Sequence, residues 1–267
     1  MDGPAPAAAP DRYPLRNSTE REGTRLSMLE GLGDPVTVRW FDRIGVAAGW
    51  HCAELGAGAG SLVRWLSERV GDGGSVTAVD RDAGRLRALA GRCPNVTVVE
   101  GDLCGMDLPP GRFDLVHTRS VLMHLPCADA VVAKAVAALA PGGVVFFEET
   151  DGAPAQAVED PPPGYGLMVR FATIWRWARG LVPLLESLGM EVVEEDVRAD
   201  PLVGGTPQAE FWKFTLGSVA QLGRGADASA GGADLDREVA AMTALLDDPD
   251  FSAPFTARHR VRARRPA

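Results

Sequence analysis

The segment Glu54-Leu-Gly56-Ala-Gly58-Ala-Gly60-Ser61 lies where a short apolar run gives way to a helical pattern. Glycines there permit a tight turn and let a ligand approach the backbone closely. The helix that follows offers free N–H groups suited to a carboxylate or phosphate. The third glycine falls at Gly60, giving GxGxG; a dinucleotide fingerprint would need glycine where Ser61 stands. Glu54, two residues before the first glycine, would repel a pyrophosphate but suits the ammonium of a methionine moiety. These two details favour S-adenosylmethionine over a dinucleotide; the plain alternative is any tight strand-to-helix turn. Asp80, about twenty residues beyond the loop, is placed either to accept from two ribose hydroxyls or to cap the next helix. Asp102, in Glu100-Gly-Asp-Leu103, is placed to accept from an adenine amino group while Leu103 packs on the ring, or is an ordinary turn aspartate.

These residues need strand ends to hold them. Strands are expected at 50–55, 75–79, 96–99, 113–117 and 144–147, with helices at 61–70, 83–90 and 128–139 between them. Strict alternation means right-handed βαβ crossovers and a mainly parallel, doubly wound α/β sheet of Rossmann-like type, whose ligands bind beyond the carboxyl ends of the strands. Two helices, 17–32 and 35–44, precede it, broken at Asp34-Pro35, with Asn17 or Ser18 as N-cap. After Asp151 come a Pro/Ala/acidic stretch, an aromatic helix at 167–178, a helix at 182–188, a strand at 191–198, helices at 207–222 and 235–246, and a last strand at 256–264. The expected organisation is a disordered tail over 1–12 and a single domain over 13–267. Within it, helices occupy 13–48, the cofactor-binding core 49–150, a lid 151–180, and the rest of the sheet with a helical insertion 181–267.

Glu54–Gly60, Asp80, Gly101–Leu103, Phe113–Val116 and Pro141-Gly-Gly143 together resemble the successive motifs of class I methyltransferases. Arg21–Leu26, Asp34–Thr37, Gly49-Trp50, Ser61–Leu66, Asp114–Pro126 and Asp247–Phe251 resemble a group of actinobacterial small-molecule methyltransferases, so the likeness covers nearly the whole chain. It departs at Cys52-Ala53, where a more aliphatic strand is usual, and at the paired acids Glu148-Glu149. The resemblance implies S-adenosyl-L-methionine as cofactor. It would be held by Glu54, Gly56, Ala57, Gly58, Gly60, Ser61, Leu62, Asp80, Arg81, Gly101, Asp102, Leu103, Thr118, Arg119 and His124, with Tyr13 in an N-terminal segment that closes over it. It also implies a small-molecule methyl acceptor; a soluble, cytoplasmic protein, monomer or homodimer, is expected.

Methyl transfer from a sulfonium requires a positioned nucleophile and, for some acceptors, a base. His124, Glu149 and Asp151 are the candidates, each with a bland alternative as a packing histidine or a solvated loop acid; His117, inside a strand, reads as a core histidine. Arg119 reads as a clamp for a cofactor or substrate carboxylate, or as half of a surface ion pair. Trp175, Trp177, Phe211 and Trp212 are the candidate acceptor walls, with Trp177 off the apolar stripe of its helix, and aromatic walls suit a flat or apolar molecule. A non-methylating protein of this fold, such as a cyclase with the cofactor as scaffold, and a nicotinamide oxidoreductase are the competing classes. A nucleic-acid amino-methyltransferase would carry Asn/Asp-Pro-Pro-aromatic after the fourth strand, where this chain has His117-Thr-Arg-Ser120.

The composition narrows these readings further. A net charge of −9 argues against a nucleic-acid partner, and the basic run Arg258–Arg265 alternates like a solvated edge strand. Of 27 basic residues only Lys134 and Lys213 are lysines, which reads as GC-rich codon bias. Cys52, Cys93, Cys104 and Cys127 have no zinc-type spacing and are expected as free thiols in a reducing cytosol. No metal site is expected. No apolar run approaches the roughly 18 residues of a membrane span, and no signal peptide is expected.

Overall fold

The computed structural model describes residues 19–173, 175–226 and 232–267. The elements of the first half are α1 (Glu20–Ile44), β1 (His51–Leu55), α2 (Ser61–Val70), β2 (Ser75–Asp80), α3 (Gly84–Ala90), β3 (Val96–Glu100), β4 (Phe113–Arg119), a 3-10 turn at Leu122–His124, and α4 (Ala128–Ala138). Those of the second half are β5 (Leu139–Asp151), α5 (Ala153–Gln156), α6 (Tyr165–Thr173), a 3-10 turn at Trp177–Gly180, α7 (Leu181–Ser187), β6 (Glu191–Val203), α8 (Pro207–Ala226), α9 (Gly232–Asp247) and β7 (Ser252–Arg264).

The strands form one seven-stranded sheet in the order β3-β2-β1-β4-β5-β7-β6. β1 to β5 pair in parallel, and β7 runs antiparallel between β5 and β6. The chain therefore reverses its winding between β1 and β4, the crevice where ligands bind in open α/β sheets. Because helices cover both faces, the central strands are apolar on both sides. Leu55, Val79, Val116, Val145 and Phe147 pack with α4 and α7, whereas Cys52, Val76, Ala78, Leu115 and Phe146 pack with α1 and α2. A third cluster, built from α6, α8, α9 and the start of β7, roofs one end of the sheet.

Four expectations are corrected. α1 is one helix of 25 residues that runs through Pro35, capped by the Thr19 hydroxyl, which accepts from Glu22 N at 3.1 Å. An interior proline costs about 3 kcal/mol. Contacts on both sides of it offset that cost: Glu30 with α2, Asp34 with Arg119, and Thr37 with Glu148. The basic C-terminal strand is internal rather than a solvated edge, because its arginines pair with acids of its neighbours. Arg260 meets Glu148 and Asp196, and Arg264 meets Glu191. Cys104 and Cys127 form a disulfide, leaving Cys52 and Cys93 free. The bridged pair sits in two loops that converge only in the fold, so nothing in their sequence spacing shows it.

The expected lid is largely packed. Tyr165, Leu167, Met168 and Ala172 of α6 are buried in the roof cluster. Gly152 lies so close to the Ala172 carbonyl that a Cβ would stand 2.0 Å from it. The tail over 1–12, Tyr13, Asn17 and Ser18 lie outside the described residues.

Candidate functional site

The glycine loop turns between β1 and α2 with Gly56, Gly58 and Gly60 all at positive φ (72°, 58° and 92°). Their reasons differ. A Cβ on Gly56 would stand 2.3 Å from Val121, and one on Gly60 2.7 Å from Leu89, so packing alone demands these two. Among the described residues, a Cβ on Gly58 would meet nothing nearer than Leu26 at 3.6 Å. Gly58 is therefore the point where the backbone stays open to a ligand. Asp80, at the end of β2, accepts from Gly58 N at 2.8 Å and Asp82 N at 2.9 Å. Burial raises its carboxyl above the usual range against those two bonds. Asp80 thus shapes the loop, and Arg81 follows it on the exposed lip.

Beyond β3, Gly101 to Met106 form a tight turn in which Asp102 O accepts from Gly105 N and Met106 N, and Asp102 Oδ1 accepts from Cys104 N. Asp102 is exposed, as a reader of a bound base must be, whereas Leu103 is buried in the core and fixes the loop from beneath. Ala57 is half-buried in the glycine loop. Leu62 faces inward among the α1/α2 core residues rather than toward the cleft. Thr118 is fully buried at the end of β4, its hydroxyl without a partner among the described residues.

The acidic candidates have structural commitments. Glu54 stands opposite His117 in the β1–β4 register, and the two share a 2.7 Å bond, so its carboxylate is matched by an imidazole inside the protein. His117 also faces Glu148 at 3.4 Å. Burial alone would lower the His117 pKa, but the two carboxylates outweigh it and raise it to about 9. Glu148 is held at about 2 despite its own burial by His117, Arg119 and Thr37. Glu149 is fully buried and accepts from three backbone N–H groups, those of Val121, Leu122 and Met123, at 3.0–3.2 Å. It anchors the turn that carries His124, and burial raises its pKa to about 7. Asp151 is taken by Arg179 (2.6 and 3.1 Å) and Ala153 N. Burial works against its charge, yet these partners keep its pKa below the usual range. Neither Glu149 nor Asp151 keeps the role of base expected from its position. Arg119 is also reassigned: it crosses beneath Gly33 to Asp34 (2.6 Å) and Thr37 (2.9 Å), strapping α1 to the sheet.

His124 remains. Burial, and then the charge of Arg25, lowers its pKa to about 4, so the ring is neutral near pH 7 but a weaker proton acceptor than a free imidazole. The groups bordering the glycine loop, and the Arg25 that acts on His124, went unseen in the sequence because they belong to α1. Leu26 lies nearest the open glycine, 3.6 Å from where a Cβ on Gly58 would stand, Glu30 Oε1 accepts from Ser61 N at 3.3 Å, and Arg25 makes a buried bidentate pair with Glu22. The Arg25 guanidinium also lies 5.7 Å from the Phe211 ring centre. The only signal was the run Arg21–Leu26, recognisable by resemblance but not by chemistry.

Three of the four aromatic wall candidates meet. Phe211 packs on Trp212 at 5.3 Å, and Trp212 on Trp175 at 5.8 Å. Trp177 parts from them: it packs on the α4 side of the sheet and its indole donates to Asp129 at 2.6 Å. An indole turned toward α4 explains why it lay off the apolar stripe, and it is removed from the acceptor wall. No group of three or more metal-ligating side chains occurs among the described residues.

This architecture has known counterparts. It aligns with the crystal structure of a putative methyltransferase from Bacillus halodurans (TM-score 0.57, 15% identity, 86% of this chain and 98% of that one). The fold is that of the class I methyltransferases. A [4+2]-cyclase, SpnF, has it too (TM-score 0.56, 16% identity, 88% of this chain and 81% of that one). Residues 53–143, from β1 into β5, match the family described as "Methyltransferase domain". Trans-aconitate 2-methyltransferase of Paracidovorax citrulli is 30% identical over 110 residues, 41% of this chain and 42% of that protein. The chain spans about half the length, or less, of the curated relatives it matches. Among the described residues, no helix is long and apolar enough to cross a membrane.

Proposed function

We propose that this chain transfers the methyl group of S-adenosyl-L-methionine to a small-molecule acceptor. The observation that supports it best is the glycine loop at the switch-point crevice, where Gly58 at positive φ is open among the described residues while Gly56 and Gly60 are closed by packing. The residues are compatible with the cofactor: an open loop glycine, Asp80 at the end of β2 for the ribose hydroxyls, and an exposed Asp102 after β3 for the adenine amino group. When bound, that cofactor supplies a methyl group on a sulfonium, already activated for in-line displacement. The protein's part is then to hold the acceptor in line, exclude water and, where the acceptor is protonated, accept its proton. His124 is the candidate acceptor of that proton at a ring nitrogen; burial and Arg25 weaken it as a base, so it suits an acceptor whose proton is already acidic, and Arg25 favours the anion left behind. The wall of Phe211, Trp212 and Trp175 suits an aromatic or apolar metabolite of the specialised kind.

The test is binding of S-adenosylhomocysteine by calorimetry, followed by labelled-methyl transfer to a panel of phenols, carboxylic acids and amines. Binding with transfer that falls about 10²–10⁴-fold in His124→Gln supports the assignment. Binding of NAD but neither sulfur nucleoside would refute it. A second reading is a cofactor-binding protein that does not methylate, motivated by the structural commitment of Glu149 and Asp151 and by the cyclase that shares the fold. It predicts nucleoside binding with no methyl product from any acceptor.

A further inference from the structure

The loop that ends β3 is fastened to α4, and the fastener is one of two lysines in a chain that otherwise uses arginine for its basic residues. Lys134 Nζ donates to the carbonyls of Met106 at 2.7 Å, Cys104 at 3.0 Å and Leu103 at 3.5 Å. Those carbonyls belong to the single turn 102–106, whose N–H groups are already used by Asp102. Carbonyls at the end of a helical turn carry partial negative charge and lack intrahelical donors. An ammonium is compact and presents three donors in a tripod, which matches three oxygens around one point. A guanidinium is a planar fork and cannot do so. The chain's preference for arginine makes a lysine at this position informative. The same turn is tied a second time, through the Cys104–Cys127 disulfide just before α4.

We infer that Lys134 is the positioning residue for base recognition: its ammonium sets the loop so that Asp102 faces the adenine amino group. This rests on the cofactor reading above. Lys134 itself touches neither ligand nor reacting atoms, and arginine does not replace it.

The experiment compares wild type with Lys134→Met and Lys134→Arg. Amide hydrogen exchange on the ligand-free, disulfide-intact proteins follows segment 102–106, with the rest of α4 as internal control. Exchange in the loop should rise at least about fivefold in both variants while α4 stays protected. Calorimetry then compares S-adenosylhomocysteine with S-inosylhomocysteine, in which the 6-amino group is replaced by oxygen. Wild type should prefer the adenine form, and both variants should lose at least about fivefold of that preference. A merely structural lysine would weaken both nucleosides equally. Unchanged loop exchange, full rescue by arginine, or an intact adenine preference in both variants would overturn the role of Lys134 while leaving the cofactor reading standing. Failure of wild type to bind either nucleoside would overturn the cofactor reading, and the base-recognition role with it; loop exchange would still decide whether Lys134 holds the turn.

Discussion

Replacing His117 by glutamine tests the electrostatic centre of the molecule. The imidazole is fully buried, 2.7 Å from Glu54 and 3.4 Å from Glu148. Glu148 keeps Arg260 at 2.9 Å, so it survives the change. Glu54 loses its cationic partner in a site where it is only 3% exposed. Removing one member of a buried pair costs about 3–5 kcal/mol, chiefly because the other charge is stranded. At roughly 2–4 °C per kcal/mol for a domain of this size, the melting temperature should drop by about 6–20 °C. The double variant Glu54→Gln/His117→Gln strands no charge at that position and should recover at least about 2 kcal/mol. The pH dependence supplies a sign. His117 titrates near 9 when folded, against 6.5 for a free imidazole, so its stabilisation is complete below about pH 6.5 and lost as pH rises through 9. The gap between wild type and His117→Gln, measured by calorimetric melting from pH 6 to 10, should therefore narrow across that window. A single variant melting within about 3 °C of wild type, or a double variant no more stable than the single one, would refute the reasoning.

Glu149→Gln replaces a three-way acceptor by a side chain with one acceptor oxygen; it should cost about 1–3 kcal/mol and raise amide exchange at Val121–Met123, and unchanged exchange would remove Glu149 as anchor. Gly58→Ala should fold with a strain of about 1–2 kcal/mol yet bind S-adenosylhomocysteine poorly, whereas Gly56→Ala, driven into Val121, should lose most of its stability; equal behaviour of the two would contradict their separate roles. Opening the disulfide, which closes a separation of 23 residues, should remove about 3 kcal/mol on the chain-entropy account; a thiol titration finding four free thiols in the native protein would show that the bridge does not form.

What the chain announced in advance is what local pattern encodes. The glycine loop, the strand-end acids and the β/α alternation depend on neighbours a few residues away, and β1 to β4 stand where hydrophobic runs and turn residues put them, whereas β5 runs from Leu139 to Asp151, well beyond the expected 144–147. Partner choice is another matter. Glu149 at a strand end looks like a base from its position, and only the three amides of the turn after β4, 26 to 28 residues earlier, reveal an anchor. Arg119, Glu30 and Arg25 acquire meaning from a helix whose continuity through Pro35 depends on tertiary contacts. The Cys104–Cys127 bridge joins two loops that approach only once β3 and α4 are in place.

That first helix has a consequence for the order in which the molecule is made. α1 leaves the ribosome before any element it rests on exists. Its anchors are Arg119, Glu148 and, near the far end of the chain, Ser218, which accepts from Arg21 across a separation of 197 residues. Contacts so distant in sequence close slowly, because the intervening chain must be ordered first. The helix that borders Gly58 and His124 is therefore among the last pieces to dock, and until β5 and α8 have been synthesised its buried face, with Trp40 and Phe41, waits exposed. A truncated or stalled chain would hold a sheet with a complete glycine loop and no wall beside it. The crevice becomes a site only in a finished protein.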